Sequence, residues 1–308
     1  MHWAILTTLL FALSAVSGQR TAIRLGGLMG NAWRLTVAMA FLGAIVLIFY
    51  RDSLAWPTFG WFLVSGFIGF GIGDVGLFLA YERIGSRLAV LLNLCLAPVF
   101  ATLAEWIWLG NGLTSREIGA AGVILSGVAM ALWPNRDRVR SVELKGSFSA
   151  GVIAAIVAGF GQGTGAVISQ KANQVEHALG LEINGLSEAG QRVVAGVIVG
   201  WLTALIWSRL QPGMKLKPEI SGSKNTPGTT FAWVVMAALC GPVIGVSCFQ
   251  QALAAMDNSG LVLAIVAATP IVLMPMAWLT EKDRPQFLSV IGGAVAVIGV
   301  ILIYRLRS

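Results

Sequence analysis

Two carboxylates, Asp74 and Glu105, stand inside long apolar runs of the chain. An ionisable group at membrane depth is costly and is by default a functional candidate. Asp74 could serve as a proton or substrate-cation site, because a desolvated carboxyl can hold a proton and exchange it for a cation. It could equally form a structural ion pair or join helices. Two arginines, Arg34 and Arg192, are the available counter-charges and are candidate gates or ion-pair partners; the plainer reading has each snorkelling to its own headgroup region. Asn93, Gln162, Gln250 and Gln251 are neutral groups at similar depth, able to orient a substrate or to bond helix to helix. Trp106 and Trp278 could flank a cavity, or belong with Trp3, Trp56, Trp108 and Trp133 to the aromatic belt at the membrane surfaces. The candidate substrate or proton-binding set is therefore Asp74, Glu105, Asn93, Gln162, Gln250, Trp106 and Trp278.

Other chemistries find little support. The imidazoles are His2 and His177 alone, and the three cysteines, Cys95, Cys240 and Cys248, all fall in apolar runs. Neither a metal site nor a Cys/His nucleophile follows from that set. Cys240 and Cys248 would lie about 12 Å apart along a helix, too far for a disulfide. The strings GFGIGDVG and GQGTGA resemble phosphate-binding glycine loops. A dinucleotide fingerprint needs a strand before the glycines and a helix after them, and these lie inside apolar spans. No catalytic residue, metal or cofactor is expected.

The elements that must carry these residues are set by composition. Of 308 residues, 56% are hydrophobic and 11% charged, against about 25% charged in soluble proteins. A crossing helix needs about 20 apolar residues, and ten candidate spans emerge: 3–19, 32–49, 57–80, 87–109, 115–133, 147–170, 188–208, 229–254, 259–280 and 286–304. The first resembles a signal peptide in its small residues near Ala15 and Ser17, but without a positive n-region it reads as a retained helix. Residues 171–190 and 209–228 read as long exposed loops, and 134–146 as a charged seam between two halves, 1–134 and 147–308. Glycine pairs four apart, such as Gly69 and Gly73 or Gly161 and Gly165, let helix backbones approach closely in lipid. Pro98, Pro270 and Pro275 are expected to kink their spans.

The halves repeat each other. At an offset of 172 residues, 59–106 aligns with 231–278 without a gap, with ten identities in 48 positions. Those identities include Gly69/Gly241, Gly73/Gly245, Pro98/Pro270 and Trp106/Trp278, residue types whose coincidence argues against chance. Asp74 pairs with Val246, so the acid is not demanded by the shared fold. Weaker echoes relate Ser17-Gly18-Gln19 to Ile168-Ser169-Gln170 and Arg34 to Arg192. Five spans per half, an odd number, invert the second half relative to the first. The expected fold is all-α integral membrane, ten transmembrane helices as two inverted five-helix repeats, an arrangement that puts a substrate site near the midplane between the halves.

The ten spans, the arginine opening the second span of each repeat and the run GDVGLFLAYERIGSRLAVLLNLCLAPVFATLAEWIWLGNG resemble an EamA-type member of the drug/metabolite transporter superfamily. That pattern usually carries a glutamate after the fourth span of a repeat; Glu281 supplies it in the second half, whereas the first has Asn111. The resemblance implies a transporter rather than an enzyme, with a central cavity lined mainly by spans 1, 3, 4, 6, 8 and 9. Amino acids, nucleosides, drugs and sugar conjugates are all moved by related proteins.

Spans three and four run antiparallel, which sets Asp74 and Glu105 toward opposite faces and suggests the pairs Arg34 with Asp74 and Arg192 with Glu105. Fifteen of the 21 Lys and Arg fall on the face opposite the termini, which by the positive-inside rule puts both termini outside; the family resemblance implies both cytoplasmic. The leading expectation is a secondary transporter in the plasma (inner) membrane that moves a small organic metabolite or drug by alternating access, with proton coupling through Asp74. A lipid or lipid-carrier flippase of the same fold is the alternative, and a membrane lipid-modifying enzyme a weaker third. The expected partners are a small-molecule substrate, the lipid bilayer and a second copy of the chain in a homodimer, with no nucleic acid.

Overall fold

In lipid a backbone N–H or C=O has no water to bond, so an apolar run must satisfy its own ladder, and among the described residues every regular element is helical. The computed structural model describes residues 2–54, 56–109, 114–131, 146–181, 184–210, 227–255, 259–281 and 286–307. The first half comprises α1 (His2–Leu25), α2 (Gly27–Phe49), α3 (Phe59–Gly66), a π-helical segment (Phe67–Gly73), α4 (Asp74–Leu109) and α5 (Ser115–Ala131). The second comprises α6 (Phe148–Ala178), α7 (Gly185–Leu210), α8 (Pro227–Ala238), a π segment (Leu239–Val243), α9 (Ile244–Ala254), α10 (Ser259–Val266), α11 (Thr269–Glu281) and α12 (Phe287–Arg307). Six helical stretches among the described residues are long and apolar enough to cross a membrane. One of them, Trp56–Trp108, has 53 residues and folds back at Gly85, whose φ of 79° is open to glycine but costly for other residues.

The expected continuous spans at 57–80 and 229–254 are each interrupted by a π turn. The two π segments begin at Phe67 and Leu239, the same position at the 172-residue offset. Glycines at 69, 71 and 73 weaken the α ladder in the first, and Pro242 withholds an N–H in the second. Pro98 lies within α4, and the main break in that helix is at Gly85 instead.

The expected loop over 171–190 is mostly helix. KANQVEHA continues α6 to Ala178 because Ala172, Asn173 and Glu176 form a buried face, and α7 begins at Gly185. Most of the charged seam and of the second long loop, together with Asn111 and the Glu281 side chain, lies outside the described residues.

Packing exchanges the first helix of each half. α1 lies against α8, α9 and α11 of the second half as well as α4 and α2 of its own, whereas α6 lies chiefly against α3, the first π segment and α4 of the first half. Hydrogen bonds reproduce the exchange: Ser65 Oγ donates to Gly165 O at 2.7 Å, and Ser14 Oγ to Ala237 O at 3.2 Å. Ser65 and Ala237 are repeat partners, as are Ser14 and Gly165 through the register of Gln19 with Gln170. α2 packs on α7, with Trp33 edge-on to Trp201 at 5.5 Å and Trp201 Nε1 donating to Thr36 Oγ1 at 2.8 Å. α5 packs on α12. Small residues make these approaches possible: a Cβ on Gly73 would lie 3.2 Å from Gly161 Cα. The glycines of GFGIGDVG and GQGTGA thus face each other across α6 and the π segment, as close packing in lipid requires.

The second helix of each half is tied at its start. Glu82 Oε2 accepts from Gly27 N at 2.7 Å, and Gln251 Oε1 accepts from Gly185 N at 3.0 Å. In both cases a side chain near the end of the third span satisfies an N–H that the first helical turn leaves open.

Candidate functional site

Arg34 and Arg192 are not at the membrane surface. Their helices begin at Gly27 and Gly185, which sets each arginine about 10 Å along its helix at 1.5 Å per residue. Each is 4% exposed. The helices start earlier than the apolar runs do, because the polar residues Asn31, Glu188 and Gln191 are buried with them. Snorkelling is thereby replaced by a buried site.

Both guanidinium groups line a cavity enclosed by α1, α2, the π segments, α4, α6, α7 and α9. Its polar wall comprises Ser14, Arg34, Asp74, Asn93, Gln162 and Arg192, and its aromatic wall Phe11, Phe70, Tyr81 and Phe249. The volume is about 60 Å³, room for a few waters and far below the about 300–1,000 Å³ of small-molecule sites.

Arg34 Nη2 donates to the carboxylate of Asp74 and, at 3.2 Å, to Asn31 Oδ1. Its guanidinium carbon lies 4.7 Å above the Phe78 ring, a cation–π contact. The π turn aims the acid: Asp74 follows Gly73 directly and opens α4. Arg192 does not meet Glu105. Its Nη1 donates to Gln250 Oε1 at 2.6 Å, Gln250 Nε2 donates to Glu188 Oε2 at 2.9 Å, and its guanidinium lies 5.3 Å over Phe70. Glu188 sits one helical turn before Arg192 and within electrostatic reach of Glu176, whose Oε1 accepts from Thr58 Oγ1 at 2.6 Å.

The arginines also reach across the halves. A Cβ on Gly69 would lie 2.8 Å from Arg192 Nη2, and one on Gly241 would lie 3.0 Å from Arg34 Nη1. Gly69 and Gly241 are repeat partners in the two π segments. Each arginine therefore rests against a glycine in the π turn of the opposite half, in a reciprocal pattern.

Of the residues singled out from sequence, Asp74, Asn93, Gln162, Arg34 and Arg192 share the cavity, and Gln250 stands behind it on Arg192. Glu105 is half-buried near the end of α4, away from the cavity wall. Trp106 and Trp278 are 44% and 52% exposed and point outward, as belt residues do. Sequence reasoning missed Glu188, Glu176 and Phe78. Glu188 carried a usable signal, since it precedes Arg192 by four residues and shares its helix face.

The EamA-like transporter family model matches residues 1–133 and 149–305, nearly the whole chain in two parts. This chain belongs to the EamA-like transporter family. It is thus a multi-pass membrane transporter of the drug/metabolite type, a class whose members are generally carriers rather than enzymes. A search of curated proteins found no match. Solved structures do resemble it: one, titled only "Crystal structure of protein", superposes with a TM-score of 0.61 at 19% identity, over 99% of this chain and 98% of that one. At that identity the likeness is one of fold.

Proposed function

We propose that this EamA-like protein is a secondary transporter that carries a small organic metabolite or drug across the plasma (inner) membrane by alternating access. The reading takes the fold as ten spanning helices in two inverted five-helix repeats. The count comes from the six long apolar stretches, with Trp56–Trp108 folded into two, plus α1, α5 and α12. The observation that carries the proposal is the matched pair of π breaks, each with an arginine guanidinium seated against its glycine, on either side of one cavity. Broken helices at the interface of two repeats are where secondary transporters bind substrate, and rocking of one repeat against the other opens the site to each face in turn. A cavity of about 60 Å³ fits a state between those openings.

Asp74 is the proposed proton carrier. When protonated it releases Arg34, and the α2 contact to α4 loosens; when ionised it locks that contact. The test is uptake into proteoliposomes of a panel of amino acids, nucleosides, sugar conjugates and cationic drugs. The proposal expects saturable uptake of at least one class, driven by a pH gradient in the wild type and indifferent to it in Asp74→Asn. Uptake of none, with the protein folded, contradicts transport; unchanged pH drive in Asp74→Asn contradicts the coupling.

A further inference from the structure

The two arginines occupy equivalent places but have unequal partners. Arg34 faces positions 74 and 78 of its own half, and Arg192 has its hydrogen bond at 250, the repeat partner of 78. In the first half those positions are Asp74 and Phe78, a carboxylate and a ring. In the second they are Val246 and Gln250. Val246 also lines the cavity. Where the first half places an acid on Arg34, the second half carries an isopropyl group at the equivalent position, with a neutral amide one turn further on.

The charges follow from this. Asp74 is in contact with Arg34 and acts on Arg192 only at longer range. Glu188 is bridged to Arg192 by the Gln250 amide and acts on its charge without a hydrogen bond between the two. Arg192 is 4% exposed, and its Nε, like that of Arg34, has no hydrogen-bond partner among the described residues. Asn93 Oδ1, on the same cavity wall, is likewise without one among them. A guanidinium offers five donors in a fork that fits a carboxylate, and a buried charge without a contacting counter-charge is costly. Gly69 and Gly165 keep the space around its Nη2 free of side chains.

We infer that Arg192 receives the carboxylate of the transported solute, which stands to Arg192 as Asp74 stands to Arg34. The inference rests on the transporter reading and narrows it to organic acids, zwitterions included. The solute's anion completes the charge symmetry of the two repeats, and its apolar part lies toward Phe11, Tyr81 and Phe249.

The test is binding to the full chain in detergent, which needs no transport and so stands or falls apart from it. Acetate and benzoate are expected to raise the unfolding temperature while acetamide, benzamide and benzylamine do not. Arg192→Gln weakens benzoate binding at least about tenfold, the value of one charge-assisted hydrogen bond. Val246→Asp supplies the acid from within: it is expected to unfold at a higher temperature than the isosteric Val246→Asn and to lose the response to benzoate. An unfolding temperature for Val246→Asp no higher than for Val246→Asn overturns the inference. So does stabilisation by benzoate that survives in Arg192→Gln, or stabilisation by benzylamine alone.

Discussion

Arg192 Nη1 donates to Gln250 Oε1 at 2.6 Å, while its counterpart Arg34 stacks 4.7 Å over Phe78, the residue 172 positions before Gln250. The two halves thus share the placement of their arginines and differ in what each arginine meets. That difference turns a symmetric scaffold into a site with two unlike ends, one closed by an internal acid and one not.

The Arg34–Asp74 pair is expected to dominate local stability. Asp74→Leu leaves a buried guanidinium without its acid, and losing one partner of a buried pair costs about 3–5 kcal/mol. Combining it with Arg34→Met removes both charges and is expected to recover most of the loss. Thermal unfolding of the single and double variants in micelles checks this, and a double variant no more stable than Asp74→Leu contradicts the pairing.

Glycine substitutions should divide by position. Gly161→Ala places a methyl against the Gly73 backbone, and overpacking of this kind costs about 1–3 kcal/mol. Gly119→Ala and Gly122→Ala in α5 meet nothing within 4 Å and should gain up to about 1 kcal/mol from helix propensity. Unfolding temperatures moving in the same direction for all three would count against the close approach of α6 to the π segment.

Gln251 is expected to act as a helix cap rather than a substrate ligand. Its Oε1 accepts from Gly185 N at 3.0 Å, and loss of such a cap costs about 0.5–2 kcal/mol. Gln251→Ala should therefore lower the unfolding temperature while leaving the affinity for a transported solute unchanged; a lost affinity with unaltered stability reverses the assignment.

The outward tryptophans make an opposite forecast. Trp106→Phe and Trp278→Phe should leave solute affinity within about twofold, the range of substitutions at exposed positions. Titration of either variant with a transported solute checks it, and a tenfold loss would bring these residues back to the cavity.

Apolar run lengths made the helical class legible, and the 172-residue offset pointed to the positions that the two π segments share. The pairing of Asp74 with Arg34 followed from their faces. What remained hidden depended on where helices start. Arg192 looks like a surface residue because the polar residues up to 190 read as loop and the span as starting at 188, yet α7 begins at Gly185 and buries Ser187, Glu188 and Gln191. The helix starts three residues before the expected span, and Glu188, not Glu105, shares its face with Arg192. The π turns were equally invisible, since the glycines that permit them also serve close packing; only the backbone distinguishes the two uses.

The central claim, alternating access through the cavity between the arginines, is tested most directly by a single cysteine at Leu94 on its wall, in a chain with Cys95, Cys240 and Cys248 replaced. A membrane-impermeant thiol reagent is applied from each face of sealed vesicles. The account predicts labelling from either face, protection by a transported solute from both, and no ion leak. Labelling confined to one face, whatever the solute or pH, would contradict it.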